Sequence, residues 1–520
     1  MNRSKIRGFT QDVPLSSLVV GLLLFVLFFL SIFLKSGYYR SMPFLPDGDT
    51  YFHGMMTNYI VEYGETTTYT PYEVPLGANG APMSFQILTA QIHLVTGIPV
   101  VTIMRWFGPV MSGVICLVMY ILLKRLTNNR VTALLGSLVM LFVPYYNGRL
   151  SATFPENVLM LFIPVLIYLL HDAVENRNRN SLVATLLITA SAVGFHFSSY
   201  MLLLLYGIGV LLYFVGRRWQ HRNVLYISLF GLGLIGVISV VFSNWWLFGF
   251  LKSLFQTHSG AAFLTDTTYT LAAPTTSLWS GNIGVFVIIL SLIGFLVLLL
   301  RRQTLWRTKV LLLGYTFIVL LPLQILPAMK LFSYTPFRAF AYISIPLVLI
   351  AGYAIDWFLR LRMPYLKVFA IGALLILLIP HYTAPTVKGA GEQHLTKSEY
   401  VGLEWLQEHT TNMTLVITAP ANGRQIAFYT KNPISYNTSY GVFYAQDAKQ
   451  AILEAQKLGT FDQVYIYISK YKLGPVYNYG WVRDYAYVNA NLQKFKNEKY
   501  FSKVFEDEDS LIYVTPPTGS

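Results

Sequence analysis

The stretch SSLVVGLLLFVLFFLSIFL, residues 16–34, contains no charged residue. A run of this length and composition is enough to cross the hydrocarbon core of a bilayer as a helix, which takes about 20 apolar residues. It is too long for the apolar part of a secretory signal peptide, and it lacks the small-residue cleavage site of one. The sequence therefore predicts that the chain enters a membrane with this first helix and keeps it.

Ten further apolar runs of membrane-spanning length follow the first one. They lie near 98–123, 131–146, 155–171, 181–196, 199–216, 223–243, 282–300, 308–327, 339–359 and 367–380. The composition agrees, since 54% of the 520 residues are hydrophobic and 12% are charged, whereas an average soluble protein has roughly 25% charged residues. The pattern predicts an all-α polytopic membrane bundle of about 11 transmembrane helices.

Lys and Arg are unevenly distributed between alternate loops. One set of loops holds 18 of them, and the other set, leaving out the C-terminal region, holds six. Because basic loops stay on the cytoplasmic side, this split predicts an N-in, C-out topology. The net charge of +14 arises within the first 380 residues, with 25 basic and 11 acidic residues, so orientation explains it and a nucleic-acid partner is not needed.

Three regions follow from these runs. Residues 1–380 form a transmembrane domain with long outer loops at 35–97 and 244–281, residues 381–395 a linker, and residues 396–520 an extracytoplasmic domain. Alternating helical and strand-like segments in the last region predict a small α/β fold. One cysteine in the whole chain excludes an intramolecular disulfide framework and a cysteine-based metal site.

The most informative polar stretch is PDGDTYFHGMMTNYIVEYG, residues 46–64, directly after the first span. Its carboxylates Asp47 and Asp49 could hold a divalent cation, or one of them could act as a base. His53 lies four residues after Asp49, so the two share a face of a helix. Either carboxylate could equally be an ordinary N-cap of the helix that starts near Thr50.

This stretch resembles the first-loop motif of GT-C glycosyltransferases, above all the catalytic subunit of oligosaccharyltransferase and its archaeal and bacterial relatives. Other segments resemble the same superfamily in the same order. They are MRWFGPVMSGVICLVMYILLKRL at 104–126, HFSSYMLLLL at 196–205 and FRAFAYISIPLVLIAGYAI at 337–355.

The resemblance implies a multi-pass enzyme of the cell membrane that moves a sugar from a polyprenyl-phosphate or polyprenyl-diphosphate donor to an acceptor hydroxyl at the outer face. The acceptor would be a glycan, a lipid or a protein. Asp49 matches the catalytic loop Asp, which orients or deprotonates the acceptor or binds a divalent cation such as Mg²⁺ or Mn²⁺. Asp47 is a possible second carboxylate.

A second acidic candidate lies in NGRLSATFPENVL, residues 147–159, where the resemblance places a second acidic motif. Glu156 is its only carboxylate, whereas the family usually has a pair there, which puts a bound metal in doubt. Glu156 is therefore a candidate second catalytic acid, or simply a glutamate favoured by a helix N-terminus. Arg149 in the same stretch is a weaker candidate for donor binding.

Three further residues are candidates for binding the donor phosphate or sugar, namely Arg338, His196 and His53. Arg338 opens the tenth span and could bind the carrier phosphate, or it could reach the lipid headgroups as an interfacial Arg. His196 could equally be a histidine satisfied by a neighbour. In the second outer loop, Asp266 and His258 are supported as tentative metal ligands by position alone.

The C-terminal region departs from the oligosaccharyltransferase pattern. The stretch TLVITAPANGRQIAFYT, residues 414–430, lacks the Trp-Trp-Asp-Tyr-Gly motif that reads the acceptor sequon. This argues against sequon-directed protein glycosylation and favours a glycolipid, cell-wall polymer or other glycan as acceptor. A transporter of a lipid or solute and a non-enzymatic scaffold remain as alternatives, although the outer-loop carboxylates and uninterrupted spans favour an enzyme.

Overall fold

The computed structural model describes most of the chain. The described residues are 17–37, 44–45, 48–67, 69–75, 82–196, 199–215, 281–301, 306–320, 336–361, 372, 395–411, 413–435, 440–470 and 492–515. The predicted span 223–243 lies wholly outside them, and 367–380 almost wholly. Most of the loop 244–281 and of the linker 381–395 lies outside as well.

Twelve helices precede the C-terminal region within the described residues. They are α1 (Ser17–Lys35), α2 (Gly48–Tyr63), α3 (Ser84–Thr96), α4 (Val100–Thr127), α5 (Arg130–Leu141), α6 (Pro144–Leu150), α7 (Glu156–Asn176), α8 (Arg179–Val193), α9 (Tyr200–Val215), α10 (Val285–Leu300), α11 (Trp306–Leu320) and α12 (Pro336–Arg360). Nine of the eleven predicted spans coincide with a helix. The other two are those outside the described residues.

Four helices in the described part are long and apolar enough to cross a membrane. They are α1, α4, α7 and the part Phe340–Arg360 of α12. The pair α5 and α6, bent by 68°, makes a fifth if it is counted as one span. The total of eleven spans and the N-in, C-out orientation remain predictions.

The C-terminal region is an α/β fold. Its elements are α13 (Lys397–His409), β1 (Thr414–Thr418), α14 (Pro420–Thr430), β2 (Ile434–Ser435), α15 (Tyr440–Tyr444), α16 (Ala448–Gln456), β3 (Gln463–Ser469), a 3₁₀ turn (Gln493–Lys496), β4 (Ser502–Glu506) and β5 (Ser510–Val514). The sheet order is β2-β1-β3-β5-β4. Strand β1 pairs in parallel with β2 and β3, and β5 pairs antiparallel with β3 and β4.

The chain divides into two compact units that do not follow the regions read from the sequence. One unit contains α1, the part of α4 from Trp106, and α5 to α12. The other contains α2, α3, the start of α4 and the whole α/β fold. The first outer loop, which the sequence analysis assigned to the transmembrane domain, therefore shares a core with the C-terminal fold.

The first unit is a bundle in which small residues allow close helix contacts. A Cβ on Gly294 of α10 would lie 2.0 Å from the carbonyl oxygen of Ile350 in α12, so only glycine permits this approach. Gly136 of α5 and Gly352 of α12 both face Leu123 of α4. Backbone proximity of this kind is typical of helices that associate in lipid, where packing rather than water exclusion drives contact.

In the second unit the first outer loop joins the α/β fold at two places. The backbone of 72–74 extends the sheet at β2, with Val74 N–H donating to the carbonyl of Ile434 at 2.8 Å and Ile434 N–H donating to that of Tyr72 at 2.6 Å. Helix α2 packs on α14, and a Cβ on Gly54 would lie 2.5 Å from Phe428 Cε2. These contacts fix the first turn of α2 against the C-terminal fold.

Candidate active site

The first candidate group is Asp49 in the first turn of α2. Its Oδ1 accepts a hydrogen bond from Arg424 Nη1 of α14 at 2.7 Å, which makes an ion pair across 375 residues of sequence. The Arg424 guanidinium also lies over the ring of Phe52, 5.0 Å from its centroid. The Arg424 side chain keeps 33% of its surface exposed, and the Asp49 side chain keeps 41%. Asp49 is thus held by a cation and open to solvent.

An aromatic layer supports the start of α2. Tyr51 is fully buried, accepts a hydrogen bond from Leu45 N–H on its hydroxyl at 3.1 Å, and contacts the rings of Phe428 and Tyr429. Tyr400 of α13 stacks edge-on against Tyr429, with centroids 5.4 Å apart. Burial raises the pKa of Tyr429 to about 12, so this phenol stays protonated near neutral pH.

His53, one turn after Asp49, contacts α3. Its Nδ1 is 2.8 Å from the side-chain amide of Gln86, and its ring packs edge-on against Phe85. The amide orientation that satisfies all partners has Gln86 oxygen accepting from Nδ1 while its nitrogen donates to backbone carbonyls. A role for His53 in donor binding remains a prediction.

The second candidate group lies in the bundle and combines three residues that the sequence singled out separately. Glu156 Oε1 accepts from Arg149 Nη2 at 2.7 Å and lies 3.3 Å from His196 Nε2. The carboxylate is 5% exposed and the guanidinium 17%. The Arg149 guanidinium also lies over the ring of Phe154, 4.0 Å from its centroid. This Arg149–Glu156–His196 group sits where α6 ends, α7 begins and α8 leads into α9.

A glycine sets the backbone beside this group. A Cβ on Gly108 of α4 would lie 2.3 Å from the carbonyl oxygen of Ala152, and Gly108 N–H donates to Thr153 Oγ1 at 3.2 Å. Asn157, which follows Glu156, donates to the same Ala152 carbonyl at 2.8 Å, while its buried Oδ1 has no hydrogen-bond partner among the described residues. The segment between Arg149 on α6 and Glu156 on α7 is therefore fixed against α4.

Several predicted site residues lie outside the described part of the chain, namely Asp47, Asp266 and His258. Arg338 lies on α12, but its side chain is also outside it. Within the described ranges no group of three or more His, Cys, Asp or Glu side chains converges on a metal position. The described carboxylate of the predicted metal pair, Asp49, faces a guanidinium, so we derive no step through a cation.

Arg424 is the functional candidate that the sequence analysis did not find. It lies in TLVITAPANGRQIAFYT, a stretch chosen only for the motif it lacks. No spacing rule links residues 375 positions apart, because the pairing depends on how α2 packs against α14. A lone arginine early in a helix that follows a buried strand is the one available sequence signal, and it is weak.

The model of one protein family matches part of the chain. Residues 80–248 match dolichyl-phosphate-mannose-protein mannosyltransferases. This region covers the end of the first outer loop and the segments that carry Arg149, Glu156 and His196. No curated protein sequence matches the chain significantly.

Solved structures match over nearly the whole length. The apo oligosaccharyltransferase of Archaeoglobus fulgidus superposes with a TM-score of 0.62 at 12% identity, covering 88% of this chain and 70% of that one. ArnT from Cupriavidus metallidurans bound to undecaprenyl phosphate gives 0.57 at 13% identity, covering 96% and 98%. The chain has the GT-C fold.

The GT-C fold confirms the resemblance on which the sequence analysis relied. A third structure with this fold, the arabinofuranosyltransferase AftD from Mycobacteria, matches with a TM-score of 0.58 at 13% identity, over 98% of this chain and 41% of that one. The A. fulgidus oligosaccharyltransferase has also been solved with zinc and sulfate. At these identities the likeness establishes the GT-C fold.

Proposed function

We propose that the protein is a glycosyltransferase that moves a sugar from a polyprenyl-phosphate donor to an acceptor hydroxyl at the outer face of the membrane. The observation that carries the proposal is Asp49, a solvent-open carboxylate in the first turn of α2, within a GT-C fold. Structures with this fold are named for sugar transfer or bound to a polyprenyl phosphate, as in ArnT with undecaprenyl phosphate. The family model that matches 80–248 is named for a dolichyl-phosphate sugar donor.

The proposed reaction is a single inverting displacement. The acceptor oxygen attacks the anomeric carbon while the bond from that carbon to the phosphate oxygen breaks. The hydroxyl proton passes to Asp49, and the lipid phosphate leaves with the bonding electron pair. The Arg424 guanidinium donates to Asp49 Oδ1 at 2.7 Å and leaves the second carboxylate oxygen as the proposed proton acceptor.

The Arg149–Glu156–His196 group is proposed to bind the donor phosphate. Arg149 presents a planar guanidinium, which suits phosphate oxygens, and the Phe154 ring holds its plane. Glu156 accepts a hydrogen bond from that guanidinium at 2.7 Å and so holds Arg149 in place. This favours a positioning role for Glu156 over the role of second catalytic acid that the sequence indicated. His196, and Arg338 on α12, remain proposed phosphate ligands.

The acceptor we favour is a glycan or glycolipid rather than a protein sequon. The support is the stretch 414–430, which forms β1 and α14 and carries no Trp-Trp-Asp-Tyr-Gly motif. The sugar, hexose or pentose, is left open. The metal pair predicted from the sequence, Asp49 and Asp266, remains the proposed site of a divalent cation, and no part of the reaction above is assigned to such a cation.

The test uses the purified full-length protein in liposomes with a panel of polyprenyl-phosphate hexoses and pentoses labelled in the sugar. The acceptor is a delipidated cell-envelope glycan fraction. We expect label to move to the glycan with the wild type, and transfer to fall by at least roughly a hundredfold with Asp49→Asn. Equal transfer by both proteins would show that Asp49 is not the base. Flux of a solute across the liposome without any sugar transfer would support a transporter instead.

A further inference from the structure

Helices α2 and α14 run parallel, and their contacts occur in the same order along both. At the start Asp49 pairs with Arg424, in the middle Gly54 meets Phe428, and at the end Glu62 lies 3.9 Å from Lys431. Asn58 donates to the carbonyl of Phe428 at 3.2 Å between the last two. The N-termini of both helices therefore lie at the same end of the pair.

This arrangement places Asp49 on the side of the sheet where β1 has its carboxyl end. Helix α14 begins two residues after β1 ends, so its N-terminus is at the carboxyl end of β1. Strand β1 lies between β2 and β3 and is parallel to both, so the connection from β1 to β2 and the connection from β2 to β3 cross the sheet in opposite directions. In α/β sheets ligands bind outside the carboxyl ends of the strands at such a point.

The separation of Asp49 and Arg424 is set by packing rather than by the ion pair itself. Gly54 lets α2 approach Phe428 closely, since any Cβ there would overlap the ring. The Phe52 ring supports the Arg424 guanidinium from α2. Because both helices are fixed by apolar contacts, the guanidinium reaches the carboxylate from a defined direction.

We propose that Arg424 is a positioning residue of the α/β fold that holds the Asp49 carboxylate in the orientation needed for proton transfer. This inference rests on the proposed function. It assigns to the C-terminal fold a direct part in the reaction, in addition to any part in binding the acceptor. Arg424 acts through Asp49 and is not itself required to touch the sugar.

A merely structural role predicts a different result. Both side chains are partly exposed, and exposed ion pairs contribute little to stability. The stability of the α2–α14 pair comes mainly from buried groups such as Tyr51 and Phe428. Loss of Arg424 should therefore leave the protein folded while its turnover falls.

The experiment measures sugar transfer by the full-length protein, with the panel donor that the wild type uses. Arg424→Met is expected to lower kcat by roughly ten- to a hundredfold with the donor KM within about twofold. Arg424→Lys should recover part of the loss, because it keeps the charge but not the planar guanidinium. The matched control is Lys431→Met, which removes the ion pair at the other end of the same two helices and is expected to leave kcat and the melting temperature unchanged.

A double variant distinguishes positioning from an independent effect. If Arg424 acts through Asp49, Arg424→Met should cost no further activity in the Asp49→Asn background.

Equal kcat in Arg424→Met and wild type overturns this inference and leaves the proposed function standing. A fall in melting temperature that Lys431→Met shares also overturns it, since the pair is then structural. If Arg424→Met does not fold, Arg424→Lys decides: wild-type kcat in that folded variant counts against positioning by the guanidinium. Absence of transfer by the wild type overturns both proposals.

Discussion

Arg301 Nη1 lies 2.7 Å from Asp356 Oδ2, at the end of the bundle opposite the Arg149–Glu156–His196 group. Asp356 is fully buried, and Arg360 Nε also donates to the same oxygen at 2.8 Å. Its Oδ1 accepts from Asn129 and Thr132 of the α4–α5 corner, each at 3.3 Å. One carboxylate thus joins α10, α12 and the start of α5, and it accounts for two arginines that the sequence read only as orientation signals.

Asp356→Asn is expected to lower the free energy of unfolding by about 3 kcal/mol, because it leaves two partly buried guanidinium groups without a counter-charge. The measurement is unfolding of the purified protein in mixed micelles. The control is Arg125→Met, which removes the exposed pair with Asp172 at 3.3 Å and should change stability by less than about 1 kcal/mol. If the two substitutions lowered the free energy of unfolding by similar amounts, burial would not make the Asp356 ion pairs more important for stability than an exposed pair.

Arg149→Met is expected to raise the donor KM roughly tenfold, since one charge-assisted contact to phosphate is lost. It should also destabilise the protein by about 3 kcal/mol, because Glu156 is then buried without its cation. Stability should return in the double variant Glu156→Gln with Arg149→Met, whereas the donor KM should stay high. Recovery of both quantities together would contradict a phosphate-binding role for Arg149.

Gly108→Ala is expected to cost about 2 kcal/mol of stability and to reduce transfer, because the new methyl would overlap the carbonyl of Ala152 beside the loop of Arg149. Gly207→Ala in α9 is the matched control. A Cβ there meets nothing within 4 Å, so the helix should keep or slightly gain stability. Thermal unfolding and donor turnover of the two variants check this pair of expectations.

Lys494 provides a pH-dependent prediction outside the membrane. Burial lowers its pKa from 10.5 to about 8, and its Nζ donates to the carbonyl of Ala445 at 2.8 Å. Between about pH 8 and 10.5 the unfolded chain binds more protons at this site than the native state, so stability contributed by the site rises with pH.

The measured quantity is the stability of wild type minus that of Lys494→Met. We expect it to be constant below about pH 8 and to increase from there to about pH 10.5. Taking the difference removes the contributions of tyrosines that titrate in the same range. A difference that falls over this window would show that the native state favours the charged lysine.

Much of the fold follows from local sequence. The C-terminal region forms the predicted alternation of helices and strands, with buried strands at 414–418 and 463–469, and the helix predicted to start near Thr50 is α2. Helix α14 and strand β4 were not predicted. The proline of PANGRQIAFYT suits the first position of a helix, but Asn422 and Gly423 have low helix propensity, so packing against α2 contributes to its helicity.

The candidate site divides in the same way. Asp49, Arg149, Glu156 and His196 could be chosen from residue type and position near span ends. Arg149, Glu156 and His196 meet because the end of α6, the start of α7 and the segment after α8 come together in the fold. No periodicity in the sequence encodes that meeting. The hydrogen bond from Arg149 to Glu156 is likewise a property of the folded chain.

By itself the sequence determined that the chain enters a membrane and where its apolar runs lie. It could do so because burial in lipid and helix periodicity act over tens of consecutive residues. Only the tertiary structure decided that the first outer loop shares a core with the C-terminal fold and that Asp49 meets Arg424. Those facts depend on a close approach at Gly54 between segments hundreds of residues apart, and steric fit at that distance leaves no local trace in the sequence.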